Sequence, residues 1–266
     1  MLATGAVLLF LLLPIAAVFL RVPPRDLVSA LGTTAARDAL RVTAETIAVS
    51  MVAILVLGTP AAYWISGRRG ALRDALVTLV ELPLVLPPAV AGIGLLVAFG
   101  RAGLLGGTLD ALGVDIAFTK VAVVLAVTFV ASPFFLRTAI ASFESVDPTL
   151  PAAARTLGAR RGRVFVRVML PLARGGLGAG AALAFARGLG EFGATIMFAG
   201  SLQGVTQTLS LAIYEQFDVD FDVALAISSL LILLSALVLL SVKLTTRWRS
   251  GSASLTLFAA SPRRST

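Results

Sequence analysis

Between Asp147 and Gly200 the chain places side by side two stretches that cannot share one solvent. The first, AAARTLGARRGRVFVRVMLP, carries Arg155, Arg160, Arg161, Arg163 and Arg167. Each would cost about 3 kcal/mol or more at the centre of a bilayer. The segment therefore lies in water, on the side where Lys and Arg collect. The second stretch contains FARGLGEFGATIMFAG, apolar and glycine-rich, and is expected to cross the bilayer. A basic aqueous loop feeding straight into a membrane helix suits a machine driven from the cytoplasmic side.

The rest of the chain fits that frame. It has 266 residues, 58% hydrophobic and only 14% charged. A soluble domain would carry about a quarter charged residues, so the class is polytopic membrane protein. The net charge of +8 does not point to nucleic acid, because the basic residues cluster at the ends of apolar runs. There is no cysteine for a disulfide frame and no histidine for metal ligation or general base work. No metal site and no catalytic constellation is expected.

Six spans are predicted, at about 4–20, 46–66, 75–99, 117–136, 175–200 and 223–242. They form a single transmembrane domain over 1–243, with a basic loop at 137–174 and a disordered Ser/Arg/Thr-rich tail at 244–266. The first span is short, and a cleaved signal peptide is its rival; the absence of a basic leader and of a small-x-small site favours a retained helix. Residues 38–45 continue helically into the second span, which Pro60 should kink. The third span holds Pro83, Pro87 and Pro88, then Gly92 and Gly94, and reads as a broken helix. Loops alternate in sign. Arg68, Arg69 and Arg73 face one Asp after the second span, while Glu215, Asp218, Asp220 and Asp222 stand without a cation before the sixth. Both termini are thereby expected in the cytoplasm.

The basic loop also carries a family resemblance. Ala153, Ala154, Gly158, Val168, Leu170 and Pro171 stand at the spacings of the "EAA" loop of importer-type ABC transporter permeases, with Ala152 where that pattern has Glu. Gly190-Glu191-Phe192-Gly193-Ala194-Thr195, with Ala199-Gly200 and Thr206-Gln207-Thr208-Leu209, resembles permeases for tetrahedral oxyanions. Molybdate/tungstate permeases come first and sulfate/thiosulfate permeases second, over about Arg37 to Lys243. The resemblance implies an all-α, six-helix permease of the type I importer kind in a bacterial or archaeal cytoplasmic membrane. It further implies a second permease subunit (a homodimer for molybdate), a cytoplasmic ATPase dimer and an extracytoplasmic oxyanion-binding protein. ATP and Mg would sit on the ATPase, and no cofactor on this chain.

The residues support that division of labour. No G-x-x-x-x-G-K-[ST] is present: Lys120 and Lys243 follow Thr119 and Val242, so phosphates have no such cradle here. Leu150–Leu157 can form a short helix, Gly158 permits a break, and Arg160–Arg167 can form a second helix. Ala152, Ala153, Ala154, Arg155, Gly158, Ala159, Arg160, Arg161, Leu170 and Pro171 then make up the segment that would couple to an ATPase. A plain positive-inside stop signal would need none of that spacing. In the fifth span Arg187 and Glu191 are four residues apart on one helical face, either a structural ion pair or part of an anion route or gate. Gly190, Gly193 and Thr195 complete that candidate route, and Glu81 in the third span is a second membrane acid for which Arg187 is one conceivable partner. Thr195, Ser201, Thr206, Gln207 and Thr208 are expected to offer neutral donors near the outer end of the helix. A membrane-embedded enzyme would need convergent acids or histidines that the spans lack, and a plain channel would not need the docking spacing.

Overall fold

The computed structural model describes residues 2–22, 29 and 32–253. Helices and their connections account for all of the described chain, and no strand occurs among those residues. The elements are α1 (Leu2–Arg21), α2 (Thr34–Ser66), α3 (Ala71–Val85), α4 (Pro88–Phe99), α5 (Gly106–Ala111) and α6 (Lys120–Glu144). They continue with α7 (Thr149–Thr156), α8 (Arg161–Leu189), α9 (Gly193–Ala199), α10 (Leu209–Val219) and α11 (Phe221–Ala253).

The start signals are local. Thr33 caps α2, its Oγ1 accepting from the Ala36 amide at 3.3 Å, and Thr119 caps α6 by accepting from the Val121 amide at 3.2 Å. α6 is the hub. Its residues Ala122, Val123, Ala126, Ala131, Phe135 and Ala139 are sealed from solvent, with α2, α3, α8 and α9 packed round it. Small residues set those approaches. Gly58 of α2 leaves room for the Phe135 ring, 3.0 Å from where a Cβ would stand, and Gly188 of α8 does the same for Val127. Hydroxyls fasten the contacts: Ser50 donates to the Val124 carbonyl at 3.1 Å and Ser142 to the Ala173 carbonyl at 3.0 Å.

Outward faces are apolar. Val49, Val52, Val56 and Leu57 of α2 stand exposed, and no residue of α1 is buried within the chain. In water such a surface would aggregate; in hydrocarbon it is the expected one. Among the described residues five helices are long and apolar enough to cross a bilayer, and the bent pair α3–α4 is apolar enough to make either a sixth, broken span or a re-entrant loop. The chain is a multi-pass membrane protein.

Four details differ from the sequence-based expectation. The fifth span does not run unbroken to Gly200: α8 ends at Leu189 and α9 starts at Gly193. The third is broken between Val85 and Pro88 as expected, but the size of the bend, 110°, was not: α4 folds across the direction of α3. The acidic segment before the last span is largely the helix α10, and within it Glu215 is already engaged with Gln207 and Ser201. Asp220 caps α11, accepting from the amides of Asp222 and Val223 at 3.1 and 3.2 Å. Finally, α11 continues to Ala253, so residues 244–253 of the expected tail are helical, while 254–266 lie outside the described residues.

Glu81 also finds a different partner. Arg137 of α6 reaches it at 3.1 Å, and Arg73 forks onto Glu144 at 2.7 and 3.1 Å. The two pairs are rungs of a ladder between α3 and α6, antiparallel as the topology requires. Arg187 is left for Glu191.

Candidate coupling loop and broken-helix crossing

The loop is built by a sharp entry, a glycine hinge and an apolar anchor. Asp147 accepts from the Thr149 amide at 2.9 Å and from its hydroxyl at 2.8 Å. Those bonds hold the Asp147 carboxyl below its ordinary range and start α7. The helix closes with the amides of Leu157 and Gly158 on the carbonyls of Ala153 and Arg155, and that of Ala159 on Ala154 at 3.0 Å. Gly158 itself sits at φ +82°, the left-handed region that glycine enters at no steric cost. Arg160 is extended, and α8 begins at Arg161.

Below the hinge the segment is rooted in the core. Val164 is completely buried. The Phe165 ring lies 4.8 Å from Tyr63, which in turn meets Phe143 edge-on at 5.5 Å. Ala154, Ala159, Val168 and Leu170 pack on the same cluster. The expected second short helix is therefore the first turns of one long helix. That helix widens to a π-turn over Phe165–Met169. Pro171 accounts for the position, since it cannot donate to the carbonyl four residues back. Pro171 was the only sequence mark of it.

What the loop leaves in the open is mostly basic or small, with Leu150, Leu157 and Val166 as exposed apolar exceptions. Ala152, Ala153, Arg155, Leu157, Gly158, Arg160, Arg161, Arg163 and Arg167 are exposed, Leu157 at 89%. Among the described residues none of those five arginines meets an acid within ion-pair distance. An apolar tip ringed by unpaired guanidinium groups, on a rigidly anchored base, can bind a partner surface carrying acids or carbonyls.

About 29 residues further along α8 the second candidate region appears. The helix stops at Leu189 because Gly190, Glu191 and Phe192 leave helical geometry. Glu191 stabilises the break. Its Oε1 accepts from the Ala194 amide at 2.7 Å, satisfying one of the orphan donors that open α9. Its Oε2 lies 2.7 Å from Arg187 Nη2 without aligned hydrogen-bond geometry, a contact of charges. The Glu191 side chain is 1% exposed and that of Arg187 28%. Arg187 borders a cavity of about 120 Å³ at the α3–α4 bend, together with Pro83, Leu86, Pro88, Val130 and Phe134.

The two broken helices meet there. Gly193 lies against Pro88, and Gly92 of α4 against Ala194 and Met197. Gly190 is exposed at the break. Thr195 is completely buried with its Oγ1 unbonded, so it does not line an open route. The neutral donors expected near the outer end are mostly occupied. Thr206 Oγ1 accepts from the Leu202 amide at 2.9 Å, which closes the 200–208 turn, and Gln207 donates to Glu215, which ties the turn to α10. Thr208 Oγ1 is buried and unbonded.

Because Oε1 and Oε2 do different jobs, the pair can be dissected. Glu191→Gln keeps an acceptor for Ala194 but leaves Arg187 uncompensated, and should cost about 2–4 kcal/mol. Arg187→Gln/Glu191→Gln should recover most of that loss. A double-mutant cycle on thermal unfolding in detergent measures it; additive effects would show that the two charges do not interact.

Residues 54–250 match the family model described as "Binding-protein-dependent transport system inner membrane component". The chain is 46% identical, over 88% of its length and 89% of the relative's, to the molybdenum transport system permease protein ModB of Mycobacterium tuberculosis. It is 40% identical, over 85% and 83%, to a probable molybdenum ABC transporter permease protein of Haloferax volcanii. Among solved structures it superposes on a chain of a bacterial alginate ABC transporter in complex with an alginate pentasaccharide-bound periplasmic protein. There the TM-score is 0.73 at 16% identity, covering 93% of this chain and 92% of that one, a likeness of fold alone. A chain of the MetNI methionine ABC transporter gives 0.57 at 20% identity, over 78% and 94%. The chain belongs to the family of binding-protein-dependent transport system inner membrane components, as an ABC transporter permease.

Proposed function

We propose that this permease carries molybdate, with tungstate as its close analogue, across the cytoplasmic membrane of a bacterium or archaeon. The observation that supports driven transport is the exposed loop whose five arginines pair with no acid among the described residues, rooted in the core at Tyr63, Phe143 and Phe165. The cargo rests on the names of relatives that match nearly the whole chain.

In this reading two copies of the chain face each other, with both termini in the cytoplasm. A cytoplasmic ATPase dimer holds ATP and Mg and docks on Ala152–Arg161, and an extracytoplasmic protein delivers the oxyanion. No cofactor sits on the permease. α8 supplies the mechanical link. It is one helix from Arg161 to Leu189, a rod about 43 Å long at 1.5 Å per residue. A tilt imposed on its basic end is delivered at the Gly190–Phe192 break, where α9 is wedged against α4. Closure of the ATPases would thus move the crossing of the two broken helices. The shift is set by which state each partner binds better.

The test is uptake into proteoliposomes holding the permease, its ATPase and its binding protein. Molybdate should enter only with ATP, and tungstate should compete. A tenfold excess of sulfate or thiosulfate should have little effect. Uptake of sulfate in preference to molybdate would assign the cargo to the other oxyanion class.

A further inference from the structure

Arg187 has more donors than Glu191 can use, and it stands at the wall of the cavity at the α3–α4 bend. We infer that the transported oxyanion takes the place of Glu191 on Arg187 during its passage, so that the Arg187–Glu191 contact is a resting partner that the cargo displaces. The inference rests on the oxyanion-import reading above and specifies a transient ligand within it.

Three observations converge. First, the cavity at the α3–α4 bend is apolar apart from Arg187: Pro83, Leu86, Pro88, Val130 and Phe134 form its walls. An anion entering it meets one charged side chain, the Arg187 guanidinium. A planar guanidinium with five N–H donors matches the edge of a tetrahedral oxyanion. Second, Glu191 is arranged to let go. Its Oε1 is fixed on the Ala194 amide, whereas its Oε2 faces Arg187 with no aligned hydrogen bond. Exchange therefore breaks a charge contact and leaves the cap of α9 in place. Third, Arg187 and the cavity lie where α3–α4 and α8–α9 are both broken, so a shift of either pair changes the space beside the guanidinium.

The same arrangement explains release. Conduction needs a site strong enough to admit the ion and weak enough to lose it. A buried carboxylate 2.7 Å away competes for the cation continuously. When the oxyanion leaves, Glu191 recovers its partner, and no bare cation remains in the bilayer. The two pairs between α3 and α6 lack this design: the Arg137 side chain is 68% exposed, and those of Arg73 and Glu144 are 34% and 31% exposed.

The decisive variant is Arg187→Gln/Glu191→Gln in the assembled transporter. The amide oxygen introduced by Glu191→Gln would still cap Ala194, and the region is neutral, so the protein should assemble and melt close to wild type. Molybdate uptake should fall about tenfold or more, while ATP hydrolysis stimulated by the binding protein persists. Arg187→Glu/Glu191→Arg preserves opposite charges but turns an acid toward the cavity. It should also fail to take up molybdate, and because arginine offers no acceptor to the Ala194 amide, the neutral double variant, which keeps that bond, separates loss of the ligand from loss of the cap. If either double variant is too unstable to purify, Arg187→Lys decides the matter. It retains the charge without the forked donors, and uptake should drop several-fold at unchanged stimulated hydrolysis. Wild-type uptake by the neutral double variant, by the swapped variant, or by Arg187→Lys where that variant decides, overturns the inference and leaves the import reading intact. Failure of the unaltered protein to import molybdate would instead strike the import reading itself.

Discussion

Gly158→Val should weaken engagement of the ATPase, lowering stimulated hydrolysis and uptake together, while leaving the helical bundle assembled. Gly158 turns the chain at φ +82°, and a β-branched residue held there is strained by about 1–2 kcal/mol. No atom lies within 4 Å of where its Cβ would be. The defect is therefore conformational and confined to the angle between α7 and α8. Relieving the strain rotates α7, together with Ala152, Arg155 and Leu157, away from the face that Arg160 and Arg161 present. Stimulated hydrolysis and uptake should each fall about tenfold, since one misplaced contact face is worth at least 1.4 kcal/mol. Gly158→Asn, tolerated in the left-handed region, should retain most of the function. Gly162→Ala is the second control, because Gly162 has the same open surroundings without the positive φ. Parity of Gly158→Val with these controls in proteoliposome assays would remove the hinge from the coupling route.

The loop and the crossing were unequally legible in the sequence. Helix, glycine turn and second helix between Thr149 and Val164 are local events, signalled by Gly158 between two helix-forming runs, Leu150–Leu157 and Arg160–Arg167. The broken third span was legible too, because Pro87 and Pro88 cannot continue a helix that ends at Val85. The break in α8–α9 was not. Leu170 to Gly200 is almost uniformly apolar, and glycines in a membrane helix more often mark packing than bending. What stops the helix is Glu191 reaching the Ala194 amide and Gly193 seating on Pro88, and the second is a contact across about a hundred positions of sequence. Among the membrane charges, the Arg187–Glu191 pair was legible from its four-residue spacing and is observed; the partner of Glu81 was not. Glu81 and Arg187 look matched in a list of membrane charges, but the antiparallel register of α3 and α6 brings Arg137 to Glu81. Thr206 and Gln207 carry the right groups for an oxyanion. Their geometry spends those groups on a turn, and composition cannot distinguish the two uses.

Gly92→Val should be the most damaging single change at the crossing. A Cβ on Gly92 would stand 2.6 Å from the Ala194 carbonyl oxygen and 2.7 Å from Met197 Cβ. On the facing helix, one on Gly193 would stand 2.6 Å from Pro88 Cβ. These neighbours are backbone, the root of a side chain and a proline ring, none of which can swing aside. α4 and α9 would have to separate, which also pulls Ala194 from Glu191 and loosens the seal round Phe198 and Ala199. Overpacking of this kind costs about 3 kcal/mol or more where nothing relaxes. Gly94→Val is the matched control. It lies on the same helix with the same loss of glycine, but open space surrounds its Cβ position. Thermal unfolding of the purified protein should place Gly92→Val well below Gly94→Val, and Gly94→Val near wild type. Equal melting of the two would mean that α4 and α9 slide past each other freely. Motion of α8 could then no longer reach α4 through this contact, and the transmission from basic loop to bent helix would need another route.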